Sequence, residues 1–74
     1  MDVVQLFVVN VRRHRKLKGM TQEQLALEVG MERGYISDLK RGQRNPTVQA
    51  LGRLADALGV EPTSLLEEDP SDPQ

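Results

Sequence analysis

Cationic side chains are concentrated between positions 12 and 44. This stretch carries nine Lys or Arg against four Asp or Glu, a net charge of +5, whereas positions 45–74 carry one Arg against six acidic residues, a net charge of −5. Clustered Lys and Arg bind phosphate, and the Arg guanidinium also matches the O6 and N7 acceptors of guanine. The asymmetry predicts a basic face that meets nucleic acid and an acidic end that points away from it. The alternative is two solvated charge runs.

The composition leaves little room for other chemistry. The chain has no Cys and one His among 74 residues, so we expect no disulfide, no metal and no cofactor. We find no nucleophile–base pair, no carboxylate dyad flanked by apolar residues and no Gly-rich phosphate loop, so we expect no enzymatic activity. The apolar run of residues 3–11 is too short to span a membrane and follows Asp2 rather than Lys or Arg. We therefore expect a cytoplasmic protein that binds neither a membrane nor a small-molecule ligand.

Residues 22–41 predict two short helices joined by a tight turn. Thr21 and Gln24 have the spacing of a capping box at the start of the first helix, and Gly30 predicts its end. The second helix is predicted from about residue 32 to residue 41. The inward faces are formed by Leu25, Ala26 and Val29 in the first helix and by Ile36 and Leu39 in the second.

The remaining sequence predicts three more helices and no strand. A helix over residues 3–18 precedes the pair, with Val4, Phe7, Val11, His14 and Leu17 facing inward. A helix capped by Thr47 and ended by Gly59 follows, with Val48, Leu51, Leu54, Ala55 and Leu58 facing inward. A short fifth helix starts at Pro62 and ends near Glu68. The sequence thus predicts one all-α domain, residues 1–68, followed by a disordered acidic tail, residues 69–74.

The chain resembles the lambda-repressor-like helix-turn-helix regulators, also called the xenobiotic-response-element family, from about Asn10 to Leu66. The similar segments are KLKGMTQEQLA, with its small Ala26, the turn at Gly30, YISDLKRG, RNPT and LADALGV. The short architecture and the segment RGYIS look most like controller proteins of restriction-modification systems. The resemblance implies a five-helix fold and a sequence-specific transcriptional regulator, with RNA polymerase as a candidate partner. The alternative is an antitoxin or another protein-binding helical module that uses the valine-rich N-terminal segment.

In a helix-turn-helix the second helix enters the major groove of double-stranded DNA. The expected base-reading residues are therefore Arg33, Gly34, Tyr35, Ser37 and Asp38. Arg33 is the best candidate for reading guanine, because it lies in the first turn of that helix. Gly34 either lets the backbone approach DNA or is tolerated near a helix start. Asp38 either accepts from cytosine N4 or orients a nearby Arg.

Phosphate contacts are expected from the residues around this helix. The expected set is Gln22, Arg12, Arg41, Arg44, Asn45 and Thr47, with the role of Gln22 implied by the resemblance. A domain of this size covers about one half-site, so we expect a homodimer on a palindromic operator. The expected dimer interface is Val60, Leu65 and Leu66, and the alternative is Val3, Val4, Leu6 and Val8.

Two residues depart from the pattern of the family. Relatives commonly carry Glu at the position of Lys40, paired with an Arg that corresponds to Arg15, so here both side chains are positive. We expect Arg15 to turn to another acceptor, such as a carbonyl at the end of the third helix, or to a phosphate. His14 lies where relatives carry an aliphatic residue, and we interpret it as a half-buried structural His.

Overall fold

The computed structural model describes residues 2–32 and 34–68, which form four α-helices and one 3-10 helix. The helices are α1 (Val3–Leu17), α2 (Gln22–Val29), α3 (Tyr35–Lys40), α4 (Val48–Leu58) and a 3-10 helix (Pro62–Leu66). The described residues contain no strand, which confirms the all-α class. The tail, residues 69–74, lies outside the described residues.

The expectation of five α-helices is wrong in its last element, which is a 3-10 helix. Pro62 has no backbone N–H, and the segment is only five residues long, so it closes with short-range bonds such as Ser64 N–H to the Glu61 carbonyl at 2.9 Å. Within the described ranges, every helix falls short of the length or apolar content that a membrane crossing needs.

The helices enclose a single aliphatic core with few aromatic residues. The 3-10 helix packs against α1 and α4, and α2 packs against α3 and α4. The most deeply buried apolar side chains are Phe7, Leu25, Leu54 and Leu65, one from each of α1, α2, α4 and the 3-10 helix. The third helix is joined to this core through Ile36 and Leu39, so its position is set by apolar packing.

Two residues expected to face inward are exposed instead. Leu17 is 75% exposed and Val48 is 88% exposed. Leu17 is the last residue of α1 and Val48 is the first of α4, so each lies at a helix end, where helical spacing alone does not ensure a packing neighbour. The helix α3 is also shorter than expected, because it begins at Tyr35 rather than near Glu32.

The predicted helix ends of α2 and α4 are confirmed. Gln24 N–H donates to Thr21 Oγ1 at 3.0 Å, and Thr21 N–H donates to Gln24 Oε1 at 2.7 Å, which completes the capping box of α2. Thr47 Oγ1 accepts from Ala50 N–H at 3.0 Å at the start of α4. Gly30 ends α2 with φ of 71°, a left-handed conformation that costs glycine little.

A buried polar side chain fastens the 3-10 helix to α1. Asn10 is 1% exposed, and its Nδ2 donates to the carbonyls of Leu65 at 3.0 Å and Glu67 at 2.8 Å. Its Oδ1 accepts from Arg13 Nη2 at 3.1 Å. Buried polar groups are costly unless they are hydrogen-bonded, and here the donors and the acceptor of the amide are all used. Asn10 thus links the two ends of the domain.

Two cationic side chains, one of them in the basic stretch, also stabilise the fold. Lys18 Nζ donates to the Ala57 carbonyl at 2.9 Å, in the last turn of α4. Arg53 Nη2 donates to the Val29 carbonyl at the end of α2. Carbonyls at helix C-termini lack intrahelical partners, and cations there are favoured by the helix dipole. Lys18 is therefore a structural cation.

Candidate nucleic-acid interface

The turn between α2 and α3 fixes the angle of the two helices. Gly30 N–H donates to the Leu27 carbonyl at 3.2 Å, and Met31 N–H donates to the Ala26 carbonyl at 2.9 Å. This pair of bonds around a left-handed glycine is the Schellman arrangement, which satisfies carbonyls that the helix end would leave free. The chain can therefore reverse at once and start α3 at Tyr35.

The third helix divides its side chains between the core and the surface. Tyr35, Ile36 and Leu39 are buried, whereas Ser37 and Asp38 are half-buried, and Lys40 and Arg41 are exposed. Six residues give less than two turns, so the apolar residues fix the rotation of the helix about its axis. Its polar side is consequently held in one orientation.

A direct hydrogen bond joins the start of α2 to the polar side of α3. Ser37 Oγ donates to Gln22 Oε1 at 3.0 Å, and both side chains are partly buried. The bond uses the amide oxygen, and among the described residues the Nε2 donors of Gln22 have no hydrogen-bond partner, so they are available to an acceptor outside the protein. Two expected DNA-contacting residues thus meet in the structure, one from each helix.

Asp38 is bracketed by two arginines rather than left alone. Its Oδ1 lies 3.1 Å from Arg41 Nη2, and its Oδ2 lies 3.6 Å from Arg44 Nη2. Arg44 Nη2 also lies 3.4 Å from Glu32 Oε2, and the Arg44 guanidinium lies 5.0 Å from the centroid of the Tyr35 ring. Of the two sequence-based roles for Asp38, this geometry supports the one in which it orients Arg side chains.

The expected rearrangement of Arg15 is found, with a different acceptor. Arg15 Nη1 donates to the Met20 carbonyl at 2.6 Å, so the acceptor precedes α2 and does not belong to the end of α3. Arg12, Arg15, Gln22 and Lys40 lie around one shallow cleft between α1, α2 and α3. Arg12 and Lys40 are both exposed, and in residues 2–32 and 34–68 neither side chain has an ion pair or a hydrogen bond.

The remaining base-reading candidates differ in how exposed their side chains or backbone are. Arg33 lies outside the described residues. Gly34 is exposed, and a Cβ at this position would come no closer than 4.0 Å to Asp38 Oδ2, so the protein itself does not demand glycine there. Tyr35 is largely buried beneath Arg44, which leaves its hydroxyl group as the part suited to a polar contact.

The loop before α4 brings the other phosphate candidates to the surface. Asn45 and Thr47 are exposed, while Arg44 is half-buried against Tyr35 and the carboxylates. The Thr47 hydroxyl is already used as the N-cap of α4. The N-cap bond uses Thr47 Oγ1 as an acceptor, so its O–H still donates, and a phosphate at this point would meet this hydroxyl and the backbone N–H groups of the first turn of α4.

The expected dimer residues are not equally available. Leu65 is fully buried in the core of one chain, so its side chain closes that core, and its assignment to an exposed interface is wrong. Val60 is half-buried and packs against the same core, whereas Leu66 is 40% exposed. In the alternative segment, Val3 is 60% exposed, while Val8 packs against the core.

The paired helices, the glycine turn and the polar face of α3 define the helix-turn-helix class, and comparisons with known proteins agree. The helix-turn-helix family model matches residues 11–65. Control protein C.BamHI of Bacillus amyloliquefaciens is 44% identical over 63 residues, which cover 84% of this chain and 78% of that protein. An uncharacterised HTH-type transcriptional regulator of Sinorhizobium fredii, y4dJ, is 46% identical over 66 residues, which cover 89% of this chain and 86% of that protein.

A solved structure gives the same result. The crystal structure of the restriction-modification controller protein C.AhdI from Aeromonas hydrophila superposes with a TM-score of 0.77 at 39% sequence identity, covering 84% of this chain and 94% of that one. The chain belongs to the helix-turn-helix family, which confirms the resemblance found in the sequence. Its relatives are DNA-binding transcriptional regulators rather than enzymes.

Proposed function

We propose that this regulator binds a palindromic operator in double-stranded DNA as a homodimer, with α3 of each subunit in the major groove. The observation that carries the proposal is the Ser37–Gln22 hydrogen bond of 3.0 Å. It holds a side chain from the start of α2 beside the polar side of α3. In this class of fold the first helix crosses the phosphate backbone while the second reads base edges.

The proposed division of labour follows from the positions of the side chains. Ser37 and Asp38 lie on the polar side of α3 and face base edges, and Arg33 precedes the first residue of this helix by two positions in sequence. Gln22 offers its amide N–H groups to a phosphate. Arg12 extends from α1 toward the same strand as an exposed cation.

A second phosphate is proposed at the loop before α4. Asn45 is exposed beside the free backbone N–H groups that follow Thr47, and such a helix start favours an anion. Arg41 lies at the end of α3, 62% exposed at its side chain, where it can reach the backbone beside the groove. Two contact points on either side of α3 would fix the register of the domain on the duplex.

The biological role that we propose is control of a restriction-modification operon. Two of the similar proteins are called control or controller proteins, and the match with C.AhdI covers 94% of that chain. A regulator of this kind acts in the cytoplasm by recruiting or excluding RNA polymerase at a promoter. The proposed dimer interface contains Val60 and Leu66, which lie in the C-terminal part of the domain.

The test is selection of binding sites from a pool of random duplexes, followed by sedimentation with and without the selected duplex. We expect an inverted repeat with half-sites about one helical turn apart, and two chains bound per duplex. Gln22→Ala should weaken binding to the selected duplex, whereas Leu27→Ala, at an 82% exposed position of the same helix, should leave it unchanged. Recovery of no enriched sequence, or one chain per duplex, would contradict the proposal.

A second candidate function is binding of a protein partner, such as a toxin. The observation that favours it is the exposure of two valines of α1, Val3 at 60% and Val9 at 46%. A partner that co-purifies with the wild-type chain and is lost in Val9→Asp, while operator binding is retained, would support this function in addition to DNA binding.

A further inference from the structure

Asp38 connects α3 to the loop that follows it through both its backbone and its side chain. Its carbonyl accepts from Gln43 N–H at 2.9 Å, in a turn that passes through Gly42 with φ of 72°. Its carboxylate lies 3.1 Å from the guanidinium of Arg41 and 3.6 Å from that of Arg44. A single acidic residue in the middle of the recognition helix thus engages two of the cations expected to meet DNA.

Arg44 is the more firmly held of these two cations. Its guanidinium lies over the Tyr35 ring at 5.0 Å and is flanked by Asp38 and Glu32. The Asp38 side chain is 26% exposed and that of Glu32 is 78% exposed. Arg44 Nη2 donates to Glu32 Oε2 at 3.4 Å, whereas it meets Asp38 Oδ2 as an ion pair at 3.6 Å. Solvent screens the exposed Glu32 carboxylate strongly, so Asp38 supplies the less screened negative charge beside Arg44.

Such an arrangement opposes binding to DNA of arbitrary sequence. A guanidinium that is paired with a nearby carboxylate is attracted less strongly to a phosphate, and the carboxylate itself repels phosphate. The attraction of cations for phosphate supplies essentially all of the non-specific affinity of a DNA-binding protein. A carboxylate that pairs with one of these cations therefore lowers the non-specific affinity for DNA.

We propose that Asp38 is a specificity-determining residue. On non-operator DNA it keeps the Arg44 guanidinium away from phosphate, and on the operator it releases this guanidinium. A base-edge amino donor, as on cytosine N4, supplies Asp38 with a replacement partner in the operator complex, and Arg44 then turns to the backbone. Discrimination thus arises from a penalty on wrong sequences. The inference rests on the proposed function, because it requires an operator.

The first test compares wild type and Asp38→Asn by fluorescence anisotropy on the selected operator and on a scrambled duplex, across about 50 to 200 mM salt. We expect Asp38→Asn to bind the scrambled duplex about two- to fivefold more tightly. The slope of log affinity against log salt on that duplex should steepen by about one unit per subunit. Operator affinity should not rise in parallel, so the ratio of the two affinities falls.

Glu32→Gln is the matched control for charge. It removes one negative charge and the carboxylate oxygen that accepts the Arg44 hydrogen bond of 3.4 Å, but Glu32 is largely exposed and makes no contact with Arg41 among the described residues. In Glu32→Gln the ratio of operator affinity to scrambled-duplex affinity should stay within about twofold of the wild-type ratio. About twofold is the smallest change expected for Asp38→Asn. An equal fall of the ratio in both variants would show general charge repulsion and overturn the proposal.

The second test asks whether Asp38 acts through Arg44. In a protein that already carries Arg44→Gln, Asp38→Asn should raise the affinity for the scrambled duplex by less than half of its effect in the wild-type chain, measured on a logarithmic scale. If Asp38→Asn raises that affinity by the same factor in both backgrounds, the proposal is overturned. Arg44→Gln alone should weaken operator binding more than scrambled binding, and an equal loss would overturn it as well. This single variant retains Asp38, so it tests the proposal even if Asp38→Asn does not fold. If wild type shows no preference for any duplex, the proposed function itself has failed.

Discussion

Arg15 and Met20 are joined by two hydrogen bonds that run in opposite directions. Arg15 Nη1 donates to the Met20 carbonyl at 2.6 Å, and Met20 N–H donates to the Arg15 carbonyl at 3.0 Å. The pair closes the connection between α1 and α2 immediately before the capping box of α2. The Arg15 side chain therefore supports the position of the helix-turn-helix without an acidic partner at Lys40.

Replacement of Arg15 should destabilise the domain. Arg15→Met removes a charge-assisted hydrogen bond to a partly buried carbonyl, so the free energy of unfolding should fall by about 1–2 kcal/mol. Urea denaturation followed by circular dichroism measures the change. The matched control is Arg12→Met on the same helix, which is exposed and should change stability by less than about 0.5 kcal/mol. Equal losses in the two variants would show that the bond to Met20 contributes nothing.

Lys40→Glu should have little effect on stability, although it creates the charge pattern common in relatives. Lys40 is exposed, and Arg15 is already engaged by the Met20 carbonyl. We expect a change within about 0.5 kcal/mol in the same urea experiment. A gain well above 1 kcal/mol would indicate that Arg15 leaves Met20 for the new carboxylate.

The buried amide of Asn10 should be more important than any surface polar residue. Asn10→Asp keeps the shape but removes the two donors that reach the carbonyls of Leu65 and Glu67. We expect a loss of about 2–4 kcal/mol at neutral pH, because a buried carboxylate would also face two carbonyl oxygens. The same substitution at exposed Asn45 should cost less than about 0.5 kcal/mol. Thermal melts of both variants measure the difference, and similar melting temperatures would contradict the role of Asn10.

Local sequence signals were sufficient to predict the helix-turn-helix. The capping box at Thr21, the turn at Gly30 and the apolar stripe of α2 depend on residues within one or two turns of each other, so the sequence displays them directly. The same holds for α4, which begins after Thr47 and ends before Gly59.

Interactions between distant residues could not be predicted in the same way. Asn10 appeared as an interruption of an apolar run, yet its partners lie 55 and 57 residues away. The partners of Arg44 were also missed, because a phosphate contact was expected where the fold supplies Glu32, Asp38 and Tyr35. The signal was present in Asp38 itself, for which pairing with a nearby Arg was one of two interpretations.

Stability should fall at mildly acidic pH because of His14. Its Nε2 is buried without a hydrogen-bond partner in the described part of the chain, and burial, with Arg13 as a second cause, lowers the pKa of His14 below its ordinary value of 6.5. The folded state therefore binds fewer protons than the unfolded state at mildly acidic pH. The contribution of neutral His14 to the free energy of unfolding is complete above pH 6.5 and is lost as the pH falls through the lowered pKa. His14 is the single His of the chain.

Urea denaturation at about pH 7.5 and about pH 5.5 tests this dependence. The midpoint of wild type should decrease at the lower pH, whereas that of His14→Leu should change much less. The control is Gln49→Leu, an exposed position on α4, which should retain the wild-type dependence. A His14→Leu protein that loses stability as steeply as wild type would assign the dependence to carboxylates instead.

The last prediction separates base reading from phosphate binding. Arg33 lies two positions before the first residue of α3 in sequence, whereas Arg12 is an exposed cation of α1, so substitution of Arg33 should affect base preference and substitution of Arg12 should affect phosphate binding. Arg33→Ala should cost about 1–3 kcal/mol on the operator and relax the preference for one guanine per half-site, with less effect on scrambled DNA. Arg12→Ala should weaken both duplexes alike and lower the salt slope by about one unit for each phosphate that a subunit no longer neutralises. Anisotropy titrations on both duplexes across a salt series measure these effects. If Arg33→Ala weakens the two duplexes by the same factor, Arg33 binds phosphate, and base reading must be assigned to Ser37 and Asp38.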